Sequence, residues 1–140
     1  MSTEKPTESA GTTATAVSRY LRFWNCDPGP DQTALAATVF HDDVHYLAPL
    51  GEWRGVPHLL ELSARFAEHL GDVAFIARRE PEVLRDRARL RWEIVRGDDS
   101  FAEGTDLITV DQDGRIAEVI TFLDRAPVGA EAHPQAGGRA

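Results

Sequence analysis

Apolar residues recur at helical spacing through the first half of the chain and alternate with polar ones through the second. Val17, Tyr20, Leu21 and Trp24 fall at i, i+3, i+4 and i+7, one face of a helix. The break Asp27-Pro28-Gly29-Pro30 ends it, and Asp31 is the predicted N-cap of a second helix through Leu35, Val39 and Phe40. A strand over residues 44–48 runs to Pro49, and residues 50–55 read as a loop. Pro57 lies in the first turn of a third helix, with Val56, Leu59, Leu60, Phe66, Ala67 and Leu70 on its apolar face and Gly71 as its C-cap. Beyond it the period drops to two. Residues 73–79 form a strand and 82–84 begin the next. From Ala88 onward, Ala88, Leu90, Trp92 and Ile94 share one side, opposite Arg87, Arg89, Arg91 and Glu93. A turn at 97–100 leads to a strand over 101–110. Asp113-Gly114 then marks a type I′ hairpin into a last strand over 116–123.

Helices followed by runs of strands indicate an α+β domain, with one bent antiparallel sheet wrapped around three N-terminal helices. That layout leaves a space between the helices and the concave side of the sheet, a cone with an internal cavity. Residues 1–13, rich in Ser, Thr, Glu and Gly, read as a disordered tail, as do residues 126–140, rich in Ala, Gly and Pro. The folded domain is expected over residues 14–125, without interior linker or repeat.

Composition narrows the partners. A net charge of -8 argues against nucleic acid and anionic membranes. No apolar run approaches the roughly 20 residues of a membrane helix, and the polar start is not a signal peptide, so a cytoplasmic location is expected. The single cysteine, Cys26, forbids an internal disulfide and reads as a small, half-buried residue at a helix end. His41, His45, His58, His69 and His133 show no metal-ligand spacing, and Asp111-Gln112-Asp113-Gly114 lacks the remaining ligands of a calcium loop. There is no phosphate loop, nucleophile elbow or dinucleotide fingerprint. Neither a metal nor a cofactor is expected.

One residue breaks its pattern. Asp106 lies inside an otherwise apolar strand, where a carboxylate is poorly suited and costly to bury ionised. It is either exposed on the outer face or kept for chemistry. Tyr20 and Trp24 share a helix face, and Tyr46 points to the same side of its strand as Ala48.

Three segments carry a family resemblance: Arg19-Tyr20-Leu21 through Asn25; Phe40-His41-Asp42-Asp43-Val44 leading to Ala48-Pro49-Leu50-Gly51 and Arg54-Gly55; and Thr105-Asp106 with the Asp113-Gly114-Arg115-Ile116 hairpin. In this order the chain resembles the NTF2-like superfamily, in its SnoaL-like and ketosteroid-isomerase-like branch. Ketosteroid isomerases use a first-helix Tyr, an Asp base before a Pro-x-Gly turn and an Asp in the penultimate strand. Tyr20 and Asp106 match two of these, while Ala48 stands where the base would be and cannot take a proton. Steroid isomerisation by the usual route is therefore not expected.

The resemblance implies a cofactor-independent enzyme acting on a small apolar molecule with a carbonyl or hydroxyl. Cyclase, isomerase or dehydratase chemistry would use Tyr20 and Asp106, with Trp24, Tyr46, Ala48, Trp92, Ile108, Val119 and Thr121 against the substrate. The alternative is a non-catalytic protein that binds a small hydrophobic ligand. A homodimer with a mixed polar interface is also implied, through Arg87, Arg89, Arg91 and Glu93 beside Glu103 and Thr105. Because the inferred cavity positions Gly104, Ile108, Val119, Thr121 and Leu123 carry no cation, Asp106 is expected to titrate above its reference of about 3.9.

Overall fold

In the computed structural model, which describes residues 4–126, α1 (Glu4–Trp24) and α2 (Pro30–Val39) precede a hairpin of β1 (Phe40–Ala48) and β2 (Gly51–Arg54). After α3 (Val56–Leu70) come β3 (Ala74–Ala77), β4 (Glu82–Leu84), β5 (Arg87–Arg96), β6 (Asp99–Val110) and β7 (Ile116–Arg125). The strands form one bent, unclosed sheet in the order β2-β1-β7-β6-β5-β3, with β4 also paired to β5. The helices cover its concave side.

The sheet is mixed rather than wholly antiparallel, because β1 runs parallel to β7. Parallel neighbours need a long crossover, and here α3 with β3 to β6 supplies it. No local sequence pattern encodes that pairing.

Several boundaries differ from expectation. α1 opens at Glu4, inside the segment read as a tail. Composition does not register that Thr13 is buried and donates its hydroxyl to the Arg85 carbonyl at 2.6 Å. Residues 1–3 and 127–140, the rest of the expected tails, lie outside the described residues. Gly29, not Asp31, occupies the N-cap of α2; Pro30 takes the first turn, and Asp31 complements the helix dipole within it. Residues 51–54, expected as loop, are β2, whose Trp53 lies opposite Tyr46. Four residues with one large apolar side chain are too few to show alternation. In α3 the buried strip runs through Leu59, Leu62 and Ser63, while Ala67 is exposed. Buried Gln32 links the helices, its Nε2 donating to the Phe23 carbonyl and to Ser63 Oγ.

The β6–β7 connection is a wider turn than type I′. Asp113 does not adopt positive φ, Gly114 does (φ 82°), and the Gly114 N–H donates to the Asp111 carbonyl at 3.0 Å. Asp111 Oδ1 accepts from the N–H groups of Asp113 and Arg115, so the aspartate side chain holds a loop that needs only one left-handed residue.

Alternation in β5 and β6 positions the site. Ala88, Leu90, Trp92 and Ile94 face inward from β5, and Ala102, Gly104, Asp106, Ile108 and Val110 do so from β6. Gly104 lies directly opposite Trp92, and the indole fills the space a side chain would occupy; a Cβ there would come within 2.1 Å of the ring. Gly104→Ala is therefore expected to expel the indole and destabilise the fold by about 1–3 kcal/mol, as overpacked cores do. Thermal melts and the Trp92 indole N–H resonance check this; an unshifted resonance would contradict it.

Candidate active site

Asp106 is 3% exposed and faces the concave side, so the outer-face reading of this residue is excluded. Three elements donate to its carboxylate, and a fourth reaches one of the donors. From α1, Tyr20 donates its hydroxyl to Oδ2 at 2.5 Å. From β5, Trp92 Nε1–H donates to Oδ1 at 2.8 Å. From β7, Thr121 Oγ1 donates to Oδ1 at 2.7 Å. From β1, the Tyr46 hydroxyl approaches Thr121 Oγ1 at 3.3 Å.

The local fold explains each position. Asp106 and Thr121 are directly paired across β6 and β7, so their side chains emerge side by side. Trp92 reaches the carboxylate because Gly104 leaves room beneath it. Arg78 secures that pair from outside: Nε donates to the Trp92 carbonyl at 2.9 Å and Nη2 to the Gly104 carbonyl at 2.8 Å. Nη2 also meets the Asp124 carboxylate at 2.6 Å. The end of α1 is fixed by Asn25, whose side chain exchanges hydrogen bonds with the Phe75 backbone.

Burial pushes the Asp106 carboxyl up to about 6, against the hydrogen bonds from Tyr20, Thr121 and Trp92, which favour the charged form. Tyr20 and Tyr46 are both raised above the ordinary phenol value, first by burial and then by the neighbouring carboxylate. Both phenols therefore stay neutral at physiological pH. The assembly is a desolvated carboxylate, ionised for the most part at pH 7, held by three neutral donors.

It opens into a cavity of about 470 Å³ walled mainly by aromatic and aliphatic side chains. Trp24, Tyr46, Ala48, Trp92 and Thr121 line it with Tyr20 and Asp106. Ile108 and Val119 do not; they are fully buried in the core beneath, because pleat alternation places them inward but deeper than the cavity floor. The wall also includes Phe66, Phe75 and Phe101, and Leu50 and His69 also line the cavity. Phe66 is visible in the α3 periodicity, but its pairing with a cavity depends on how the helix crosses the sheet. Ala126, placed in the tail by composition, borders the cavity too. Among the described lining residues Asp106 is the one carboxylate, and none is Lys or Arg. Groups of three or more His, Cys, Asp or Glu able to hold a metal are absent among the described residues.

Residues 17–119 match the family model of the SnoaL-like domain. The sequence matches none of the curated proteins. Among solved structures, a SnoaL-like family protein of Agrobacterium tumefaciens C58 proposed to be an isomerase superposes with a TM-score of 0.75 at 23% identity, over 81% of this chain and 98% of that one. A SnoaL-like protein of Jannaschia sp. CCS1 proposed to be a polyketide cyclase gives 0.69 at 11% identity, over 89% and 91%. An epoxide hydrolase of M. tuberculosis gives 0.61 at 17% identity, over 82% and 84%.

Proposed function

Because the chain belongs to the SnoaL-like domain family, we propose that its cavity is a cofactor-independent acid–base active site for a small, uncharged, largely apolar molecule bearing a carbonyl or hydroxyl. The observation that carries this reading is the buried Asp106 carboxylate, held by Tyr20, Trp92 and Thr121 at the floor of an apolar cavity. A carboxyl poised near 6 can accept a proton at pH 7 and return it as an acid, which suits general acid–base catalysis. One group serving both steps fits isomerase, cyclase or dehydratase chemistry, in which a proton leaves one atom and returns to another. The absence of Lys and Arg from the described lining disfavours carboxylate- or phosphate-bearing substrates. The setting we propose is cytoplasmic; among the described residues no helix is long and apolar enough to cross a membrane.

The direct test uses 2-tetralone in deuterium oxide as a neutral, enolisable probe. The protein is expected to accelerate deuterium incorporation beside the carbonyl, measured by NMR. A second reading, a non-catalytic binder of hydrophobic ligands, is favoured by Ala48, which leaves a single carboxylate among the described residues that line the cavity. Tight binding of the ketone with exchange at the buffer rate would select it.

The proposal includes a homodimer through the outer face of the sheet. That face is less polar than the Arg87–Arg89–Arg91 row suggests, since the arginines pair locally with Asp86 and Glu82. Leu107 lies opposite Ile120, Phe122 lies opposite Thr105, and Phe122 is 53% exposed. Such an apolar strip on a solvent face favours association. Light scattering is expected to give twice the 15.4 kDa chain mass, falling to the chain mass in Phe122→Glu. A wild-type monomer at micromolar concentration would reject it.

A further inference from the structure

Building on the reading of Asp106 as the base, we propose that Tyr46, not Tyr20, donates the hydrogen bond to the substrate oxygen, while Tyr20 is a positioning residue for the carboxylate. The assignment follows from accounting for each hydrogen. A hydroxyl has one hydrogen to give, and each carboxylate oxygen has two lone-pair sites. Tyr20 spends its hydrogen on Oδ2 at 2.5 Å, and Thr121 spends its own on Oδ1 at 2.7 Å. With Trp92 also on Oδ1, that oxygen is saturated, and the open site for an incoming proton is on Oδ2.

Tyr46 differs. Its hydroxyl meets Thr121 Oγ1 at 3.3 Å, beyond the usual 2.5–3.0 Å of an O–H···O bond, and also neighbours the Tyr20 hydroxyl, whose own hydrogen is committed to Asp106 Oδ2. Among the described residues it is the one hydroxyl of the cluster whose hydrogen is not held by a short bond. Its ring is fixed between Trp24 and Trp53, at centroid distances of 5.9 and 5.8 Å. It lines the cavity beside Ala48, whose methyl leaves room for a substrate carbonyl.

In the step this geometry serves, a C–H beside a carbonyl gives its proton to Asp106 Oδ2. The C–H pair becomes a C=C bond, and the carbonyl π pair moves to oxygen, whose charge the Tyr46 O–H stabilises. The oxygen pair then reforms C=O as the proton returns to the same carbon, which is exchange, or, where a second C=C is conjugated with the enolate, to its far carbon as the double bond shifts, which is isomerisation. Neither needs a co-reactant.

The two tyrosines then separate experimentally. The groups facing the carboxylate are Tyr20 from α1, Tyr46 from β1, Trp92 from β5 and Thr121 from β7; His69 from α3 also lines the cavity. Tyr20→Phe removes a donor to the carboxylate, so the acid limb of the exchange rate and the Asp106 carboxyl titration both move to higher pH. Tyr46→Phe is expected to leave both in place, lower the plateau 10²–10³-fold as loss of an oxyanion donor does, and weaken 2-naphthol binding about tenfold. Naphthol binding is read by fluorescence and needs no turnover, so it decides the role of Tyr46 even if Asp106 proves not to be a base. The chain has only two tyrosines, so 3-fluorotyrosine in a Tyr20→Phe background reports Tyr46 alone, and its fluorine resonance should shift when 2-naphthol binds. This second measurement stands if Tyr46→Phe fails to fold. Unweakened naphthol binding in Tyr46→Phe, or a fluorine resonance unmoved by naphthol, would overturn the assignment.

Discussion

Asp106→Asn is expected to reduce catalysed exchange of 2-tetralone to the buffer rate, a loss of about 10²–10⁴-fold, the usual contribution of a positioned general base. The fold should survive. Asn is isosteric, its carbonyl can still accept from Trp92 Nε1 and Thr121 Oγ1, and its amide can donate to the Tyr20 oxygen once that hydroxyl rotates. Retained exchange in a folded Asp106→Asn protein would remove Asp106 from the mechanism and leave the ligand-binding reading.

The same substitution should make the protein more stable at neutral pH. The Asp106 carboxyl is raised from 3.8 to about 6 by burial, so between those values the folded state holds a proton that the unfolded state has released. Stability therefore falls as pH rises through this window and stays low above it. At about 1.4 kcal/mol per pH unit, the ionised carboxylate costs about 3 kcal/mol at pH 7 and above. Asn carries no charge and escapes this cost. Denaturant melts should show the variant ahead of the wild type by up to about 3 kcal/mol at pH 7–8, with the gap closing below pH 4. Wild-type and variant stabilities that run parallel from pH 4 to 7 would contradict it. A stabilising loss of activity is the expected signature of a group kept for chemistry at the expense of the fold.

How far the sequence reveals this arrangement depends on the range of the interaction. The β5 alternation of Ala88, Leu90, Trp92 and Ile94 is local, and the structure shows it facing inward as read. Helices α1 and α3 are equally visible from periodicity, apart from their exact buried residues. The four-residue β2 pairs locally with β1 but is too short to show alternation, whereas the parallel β1–β7 pairing and the N-terminal reach of α1 depend on partners far along the chain, which no window of sequence contains. At the site, the pattern of β6 isolates Asp106 as anomalous but leaves its direction open. The family resemblance pairs it with Tyr20. Trp92 as a hydrogen-bond donor was legible only in part: its inward direction follows from alternation, whereas its reach to Asp106 depends on the vacancy at Gly104 across the β5–β6 register. The different duties of two tyrosines 26 positions apart depend on distances between hydroxyls, which the sequence does not contain.

The central claim is that Asp106 is a desolvated carboxylate poised for proton transfer, and its titration tests that most directly. Carbon-13 NMR of the Asp106 carboxyl, assigned by its disappearance in Asp106→Asn, should be followed from pH 3 to 9. The account predicts a single transition centred near 6. A midpoint at or below 4 would mean a solvated carboxylate, and the acid–base site would be contradicted with it.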